Sequence, residues 1–134
     1  MRIVVDTGVF SAALSRRRRA DLEHHVGRLS GQQLFLAAVT VAELRYGAIV
    51  AGWGATRRRR LEQAIDATTV VPVSDALITA VAELRASCRA VAHPLAEPAH
   101  SHDLWIASTA LHIEAPLVTA DGVFVGVPGL KVLE

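Results

Sequence analysis

The chain of 134 residues contains one cysteine, Cys88. No internal disulfide can form, which fits a reducing compartment, and the ordinary role for this residue is a small buried side chain on a helix. Aromatic residues are also scarce, at 4%, while Ala, Val and Leu dominate. A sandwich built around large rings is thereby disfavoured, and close helix–sheet packing is favoured. No apolar run approaches the roughly 18 residues that a membrane span requires. The opening segment RIVVD is too short for a secretory signal and lacks a cleavage site. The expectation is a soluble, cytoplasmic protein with no membrane partner. Internal repeats and Pro/Gly linkers are absent, so residues 1–134 are expected to form a single domain. There is no Gly-Lys phosphate loop and no dinucleotide glycine fingerprint.

What is present is a chain with 51% hydrophobic and 20% charged residues, enough to bury a sizeable core for its length. Four short β-branched runs occur at 2–6, 33–39, 69–73 and 115–120, with a weaker fifth, LKVLE, at the end. Between them, helical periodicity marks 40–52, 57–67, 75–91 and 103–113, and 10–30 is expected to hold two shorter helices. In 75–91 the residues Leu77, Ile78, Val81, Leu84 and Cys88 fall three or four apart, which predicts one buried face. Ser74 and Asp75 stand where a cap belongs. Strands alternating with helices imply βαβ units, and hence a three-layer α/β/α domain with a mainly parallel central sheet.

The net charge of +1 conceals an asymmetry. Residues 1–67 carry 11 Arg against 6 acids, a balance of +5, whereas residues 68–134 carry 3 Lys plus Arg against 7 acids, a balance of −4. Most of the excess lies in Arg16, Arg17, Arg18 and Arg19 and in Arg57, Arg58, Arg59 and Arg60. Arginine engages phosphate in a bidentate fork, so both clusters are RNA-binding candidates; the alternative is a solvated helix end or loop.

In open parallel sheets, sites form beyond the carboxyl ends of strands. The first strand runs into Asp6, the second gives way to a helix carrying Glu43, and the fourth ends in Thr119 and Asp121. Asp103 starts the helix preceding that fourth strand. Each acid has an ordinary reading as well. Asp6-Thr7-Gly8 fits a turn or N-cap, Thr40 to Glu43 fits a capping box, Asp103 fits a first-turn acid, and Asp121-Gly122 fits a turn. Asp6 and Asp103, however, adjoin strongly apolar segments, where a carboxylate is costly without compensation. Converging carboxylates also repel one another. A divalent cation would remove that conflict, and an all-oxygen site suits Mg²⁺, with Mn²⁺ as a substitute.

In this order and spacing the motifs resemble the PIN-domain ribonucleases, and within them the VapC-type toxins. The likeness rests on DT at 6–7, T-x-A-E-L-x-x-G at 40–47 and D-L-x-I-A-x-x-A-L at 103–111. L-V-T-x-D-x-x-F at 117–124 and V-P-G-L at 127–130 complete it. The resemblance implies that Asp6, Glu43, Asp103 and Asp121 form a catalytic quartet bordered by the hydroxyls of Thr7 and Thr119. Together they would hold one or two Mg²⁺ ions; Asp6 and Asp103 are expected as direct ligands of the principal ion, with Glu43 and Asp121 acting through water, holding a second ion or orienting the attacking water. It further implies an RNA substrate, a cognate antitoxin and a homodimer. Two positions depart from the family pattern. Gly8 stands where Ser or Asn is common, and Val123 stands where many members carry another Asp.

Three rivals are weighed against this reading. An aspartyl phosphatase would place a second Asp at position 8, which is Gly8. A zinc hydrolase using His100 and His102 lacks the helical H-x-x-x-H spacing. A catalytically silent PIN-like module that only binds protein or RNA is at odds with acids at all four positions.

Overall fold

A computed structural model describes residues 1–133, with the backbone alone at Arg16. The β-branched runs form five short strands: β1 (Arg2–Val5), β2 (Gln33–Ala37), β3 (Thr69–Val71), β4 (Leu117–Val118) and β5 (Val132–Leu133). All pairings are parallel, in the order β3-β2-β1-β4-β5. Three helices occupy the first connection: α1 (Thr7–Ala13), α2 (Arg16–Arg19) and α3 (Glu23–Gly27). The 10–30 segment thus holds short helices divided around Leu14 and Ala20 to Leu22, one break more than its periodicity predicts. Next come α4 (Ala38–Val50), α5 (Ala55–Asp66), α6 (Asp75–Ala90) and α7 (Ser101–His112). Of the expected LKVLE strand, Glu134 lies outside the described residues. No described helix is long and apolar enough to cross a membrane.

Alternation along the strands builds two cores. Ile3 and Val5 of β1, Leu36 of β2 and Val118 of β4 face one side, where they meet Val9 and Phe10 of α1, Leu44 of α4 and Leu61 of α5. Val4, Phe35 and Leu117 face the other, against Leu77 and Leu84 of α6 and Leu104 and Ile106 of α7. A parallel sheet covered on both faces needs strands that are apolar throughout, which is why RIVV and QLFLA lack a polar alternation. Ser74 caps α6 through its hydroxyl, which accepts from the Leu77 N–H at 3.1 Å. Cys88 is fully buried on α6. Ile78, expected on the same buried face, is 50% exposed. Its neighbours Leu77 and Val81 set the inward direction, and Ile78 lies about 100° round the helix from Leu77, on the shoulder.

The strand order has one reversal. From β1 the chain steps outward through β2 to β3, then returns to the opposite side of β1 for β4. The crevice between the ends of β1 and β4 is therefore the topological switch point of the sheet, where α/β folds place their ligands.

Candidate active site

Asp6 follows β1 directly and stands at the N-cap position of α1, yet its side chain makes no capping hydrogen bond. The N-cap reading of this residue is therefore set aside. The carboxylate is 9% exposed, and the hydroxyl of Thr119, just past β4, donates to its Oδ2 at 2.7 Å. Parallel pairing of Val5 with Val118 brings these two residues side by side across 113 positions of sequence. The Asp6 carboxyl is pushed up to about 6: burial raises it most, the Thr119 hydroxyl and the Thr7 backbone hold it down in part, and the charges of Asp103 and Asp121 add to the rise. The Coulombic contribution means that three of the four acids share one electrostatic environment.

Thr119 has a second role. Its hydroxyl oxygen accepts the Asp121 N–H at 3.0 Å, and Asp121 Oδ1 accepts the Val123 N–H at 2.9 Å. The turn reading of Asp121-Gly122 is thus correct for Oδ1, and the charge of this residue is nevertheless felt at Asp6.

Glu43 reaches the same place from α4. The helix begins at Ala38 and its N-cap is Ala37, so Thr40 is an interior residue and the capping box does not form. Thr40 is instead fully buried, and its hydroxyl lies 3.1 Å from that of Thr7. The Thr7 hydroxyl is in turn 3.2 Å from Glu43 Oε1. A carboxylate only accepts, so the Thr7 proton serves Glu43 and the Thr40 hydroxyl completes the chain.

Asp103 is the third residue of α7 rather than its first, because two short 3₁₀ turns at Pro94–Ala96 and Pro98–His100 lead straight into the helix. His100 Nδ1 faces Asp103 Oδ2 at 3.3 Å, and His102 Nδ1 lies 3.6 Å from Glu43 Oε1. Sequence alone gives neither histidine a place against a site acid; the Pro-rich segment has no periodicity from which to read where they point.

The donor set is all-oxygen and negatively charged, with one carboxylate held at the edge of the core, and this suits a hard divalent cation. Among the described residues no three His, Cys, Asp or Glu side chains converge closely enough to encircle an ion as they stand. A Cβ added at Gly8 would meet only Asp6 Oδ2, at 3.9 Å, so position 8 adjoins this carboxylate, and glycine there leaves Thr119 as the side-chain hydrogen-bond partner of Asp6.

The two Arg clusters lie on α2 and at the start of α5. Arg17, Arg18 and Arg19 are exposed, as are Arg57, Arg58, Arg59 and Arg60; the side chain of Arg16 lies outside the described residues. Arg57 stacks over the Trp53 ring at 4.0 Å, and Arg58 Nε donates to the Trp53 carbonyl at 3.0 Å.

Comparison with known proteins places the fold. The chain is 38% identical over 89 residues to Ribonuclease VapC8 of Mycobacterium tuberculosis, covering 65% of this chain and 72% of that protein. Its fold is similar to that of a chain in VapBC2 from Rickettsia felis bound to a DNA fragment from their promoter. There the TM-score is 0.77 at 20% identity, over 99% of this chain and 98% of the other. It is also similar to VapBC-1 of nontypeable Haemophilus influenzae (TM-score 0.75, 22% identity, 100% and 98% covered). FitAcB of Neisseria gonorrhoeae gives a TM-score of 0.71 at 23% identity, with 98% and 96% covered. The PIN domain model matches residues 3–130, a span holding all four acids, and the chain belongs to the PIN-domain family.

Proposed function

We propose that this protein is a Mg²⁺-dependent ribonuclease of the VapC type, the toxin of a toxin–antitoxin pair, acting at Asp6, Glu43, Asp103 and Asp121. The observation that carries this reading is the buried Asp6 carboxylate, set at the sheet's switch point within the field of Asp103 and Asp121. A buried acid among other acids is a costly arrangement for a structural residue and a useful one for holding a cation. Similarity to Ribonuclease VapC8 supports RNA as the substrate, and the VapBC complexes among its fold relatives support an antitoxin as partner. We expect a homodimer in the cytoplasm, as for the family.

Asp6 and Asp103 are assigned as direct ligands of Mg²⁺ or Mn²⁺, with Glu43 and Asp121 holding outer waters or a second ion. When bound, the cation would lower the pKa of a water and neutralise charge on the phosphate. Thr119 keeps Asp6 in one orientation and ties it to the backbone of Asp121. Thr7 does the same for Glu43, which is thereby placed to orient a water or accept its proton. Attack by water forms the new P–O bond, the P–O3′ bond breaks, and a proton passes to the departing oxygen. The fragments carry a 5′-phosphate and a 3′-hydroxyl.

The experiment is cleavage of total RNA by the purified protein. Wild type with Mg²⁺ or Mn²⁺ is expected to produce 3′-hydroxyl ends that a poly(A) polymerase extends directly. EDTA abolishes cleavage, and Asp6→Asn reduces it by at least a hundredfold. Cleavage that persists in EDTA and leaves 2′,3′-cyclic phosphates would move the chemistry to His100, His102 or His112. A wild type without activity under every metal condition would make the chain a silent binding module.

A further inference from the structure

The fold brings together two charge clusters that lie some forty residues apart in the sequence. A groove of about 580 Å³ runs between α1–α2 and the α4–α5 pair. Its bottom is apolar, formed by the buried side chains of Leu44, Ala48 and Leu61. Arg18 from the first cluster and Arg57 and Arg60 from the second are exposed at its margin, and Trp53 also lines it. Thr7 and Glu43 line the same groove, so it opens directly onto the acidic site. Among its described lining residues Glu43 is the one carboxylate.

We propose that this groove is the track of a single-stranded segment of the RNA, with Arg18, Arg57 and Arg60 on its phosphates and the Trp53–Arg57 pair as a platform for one base. The inference rests on the ribonuclease reading above and adds the path by which the strand approaches the site.

Charge complementarity selects a polyanion. None of the three guanidinium groups has an ion-pair partner among the described residues, in contrast to Arg45, which is held by Glu62 at 2.7 Å. Exposed guanidinium groups without a carboxylate partner keep their charge and donors free for phosphate, which they engage in a bidentate fork. The apolar bottom selects a single strand over a duplex. A duplex presents only phosphates and sugar edges to such a surface, leaving Trp53 and the leucines uncovered. An unpaired base instead lays an apolar face on an aromatic ring or on a guanidinium plane. In the Trp53–Arg57 stack at 4.0 Å the ring backs the guanidinium, whose outer face is left for a base. Arg58, by contrast, is turned to the Trp53 carbonyl and steadies the platform from behind. The clusters thus divide their work, with some arginines facing the groove and others building its wall.

The test measures binding of a labelled mixed-sequence single-stranded RNA in EDTA, across a series of KCl concentrations. Replacing Arg18, Arg57 and Arg60 together by Ser is expected to weaken binding. It should also reduce the slope of log affinity against log salt by about 2, at roughly 0.7 for each phosphate no longer engaged. A control of equal charge change, Arg28→Ser with Arg89→Ser and Lys131→Ser, keeps the wild-type slope. Trp53→Ala weakens binding roughly tenfold with the slope unchanged, and Trp53→Phe restores most of it. The proposal is overturned if the groove triple keeps the wild-type slope, in which case the groove belongs to a protein segment. It is equally overturned if the control loses as much slope, or if Trp53→Ala binds as wild type. Cleavage in Mg²⁺ is followed in parallel. A protein that binds through the groove but never cleaves refutes the ribonuclease reading alone, and one that cleaves with groove-independent binding refutes only the track.

Discussion

Asp6 enters the fold at a cost that depends on pH. Its carboxyl titrates near 6 in the folded protein against an ordinary value of 3.8, with burial as the main cause. Between those values the folded chain holds more protons than the unfolded one, so stability falls as pH rises through the window and the full penalty applies above it. A shift of this size corresponds to about 3 kcal/mol. In the metal-free protein, Asp6→Asn is therefore expected to raise stability at pH 7.5 by up to about 3 kcal/mol and to flatten the decline between pH 4 and 6. Urea unfolding of both proteins across that range, with a chelator present, reads both effects. Adding Mg²⁺ should shrink the mutant's advantage, because only wild type gains from binding it. A mutant that unfolds earlier at pH 7.5, with an unchanged pH profile, would make Asp6 a structural residue. Thr119 belongs to the same scale. With Gly8 supplying no side chain, this hydroxyl is the side-chain restraint on Asp6 while also fixing the backbone of Asp121.

Three of the helices that frame the site end in one way. In α4, α6 and α7 the chain closes with the paired reverse hydrogen bonds of a Schellman turn: Trp53 N–H to Ala48, His93 N–H to Cys88 and Ala115 N–H to Ala110. The residue in the left-handed position is Gly52 in the first, with φ of 66°, but Ala92 and Glu114 in the others, at 56° and 54°. An L side chain there costs on the order of 1 kcal/mol, partly offset by the greater freedom of glycine in the unfolded chain. Ala92→Gly is accordingly expected to stabilise by about 0.5 kcal/mol, and Gly52→Ala to destabilise by about 1 kcal/mol, seen as opposite shifts of Tm. Matching shifts of one sign would refute the account. At this scale the sequence was largely legible. Runs such as RIVV and QLFLA announce doubly covered strands, and the acids at their ends follow from the rule that sites lie beyond strand termini. The failures have local causes. Thr40 to Glu43 has the letters of a capping box, but Ala37 is already extended and the helix starts at Ala38, so a buried threonine takes the place of a cap. Ile78 satisfies the spacing of a buried face and misses it by one shoulder of the helix. The histidines at 100 and 102 sit after two proline-led turns, where no periodicity reports direction. The meeting of the two Arg clusters could not be read at all, since it depends on how α2 and α5 pack across α1 and α4.

Across the whole molecule the charge asymmetry of the two halves becomes an asymmetry of layers. The basic half supplies α1 to α5 on one face of the sheet, and α6 and α7 of the acidic half cover the other. An inhibitor of the proposed activity must answer both the arginine-rimmed groove and the acidic centre to which it leads. A protein tail carrying an arginine could place its fork between the carboxylates. We therefore expect Asp6→Asn and Asp103→Asn to weaken antitoxin binding as well as cleavage, and excess Mg²⁺ to compete with the inhibitor. Titration of the antitoxin against wild type and both mutants at low and high Mg²⁺ checks this. Affinities indifferent to mutation and metal would place the inhibitory contact elsewhere. The pairing of β1 with β4 carries a consequence of another kind, set by the order in which the chain is made. Asp6 leaves the ribosome 113 positions ahead of its partner Thr119. A chain halted before Leu117 has at most three of the four acids and no strand to seat the first of them. On the proposed reading the nuclease's acidic centre stays incomplete throughout the making of the first three strands, and the cutting edge is acquired only when β4 reaches β1.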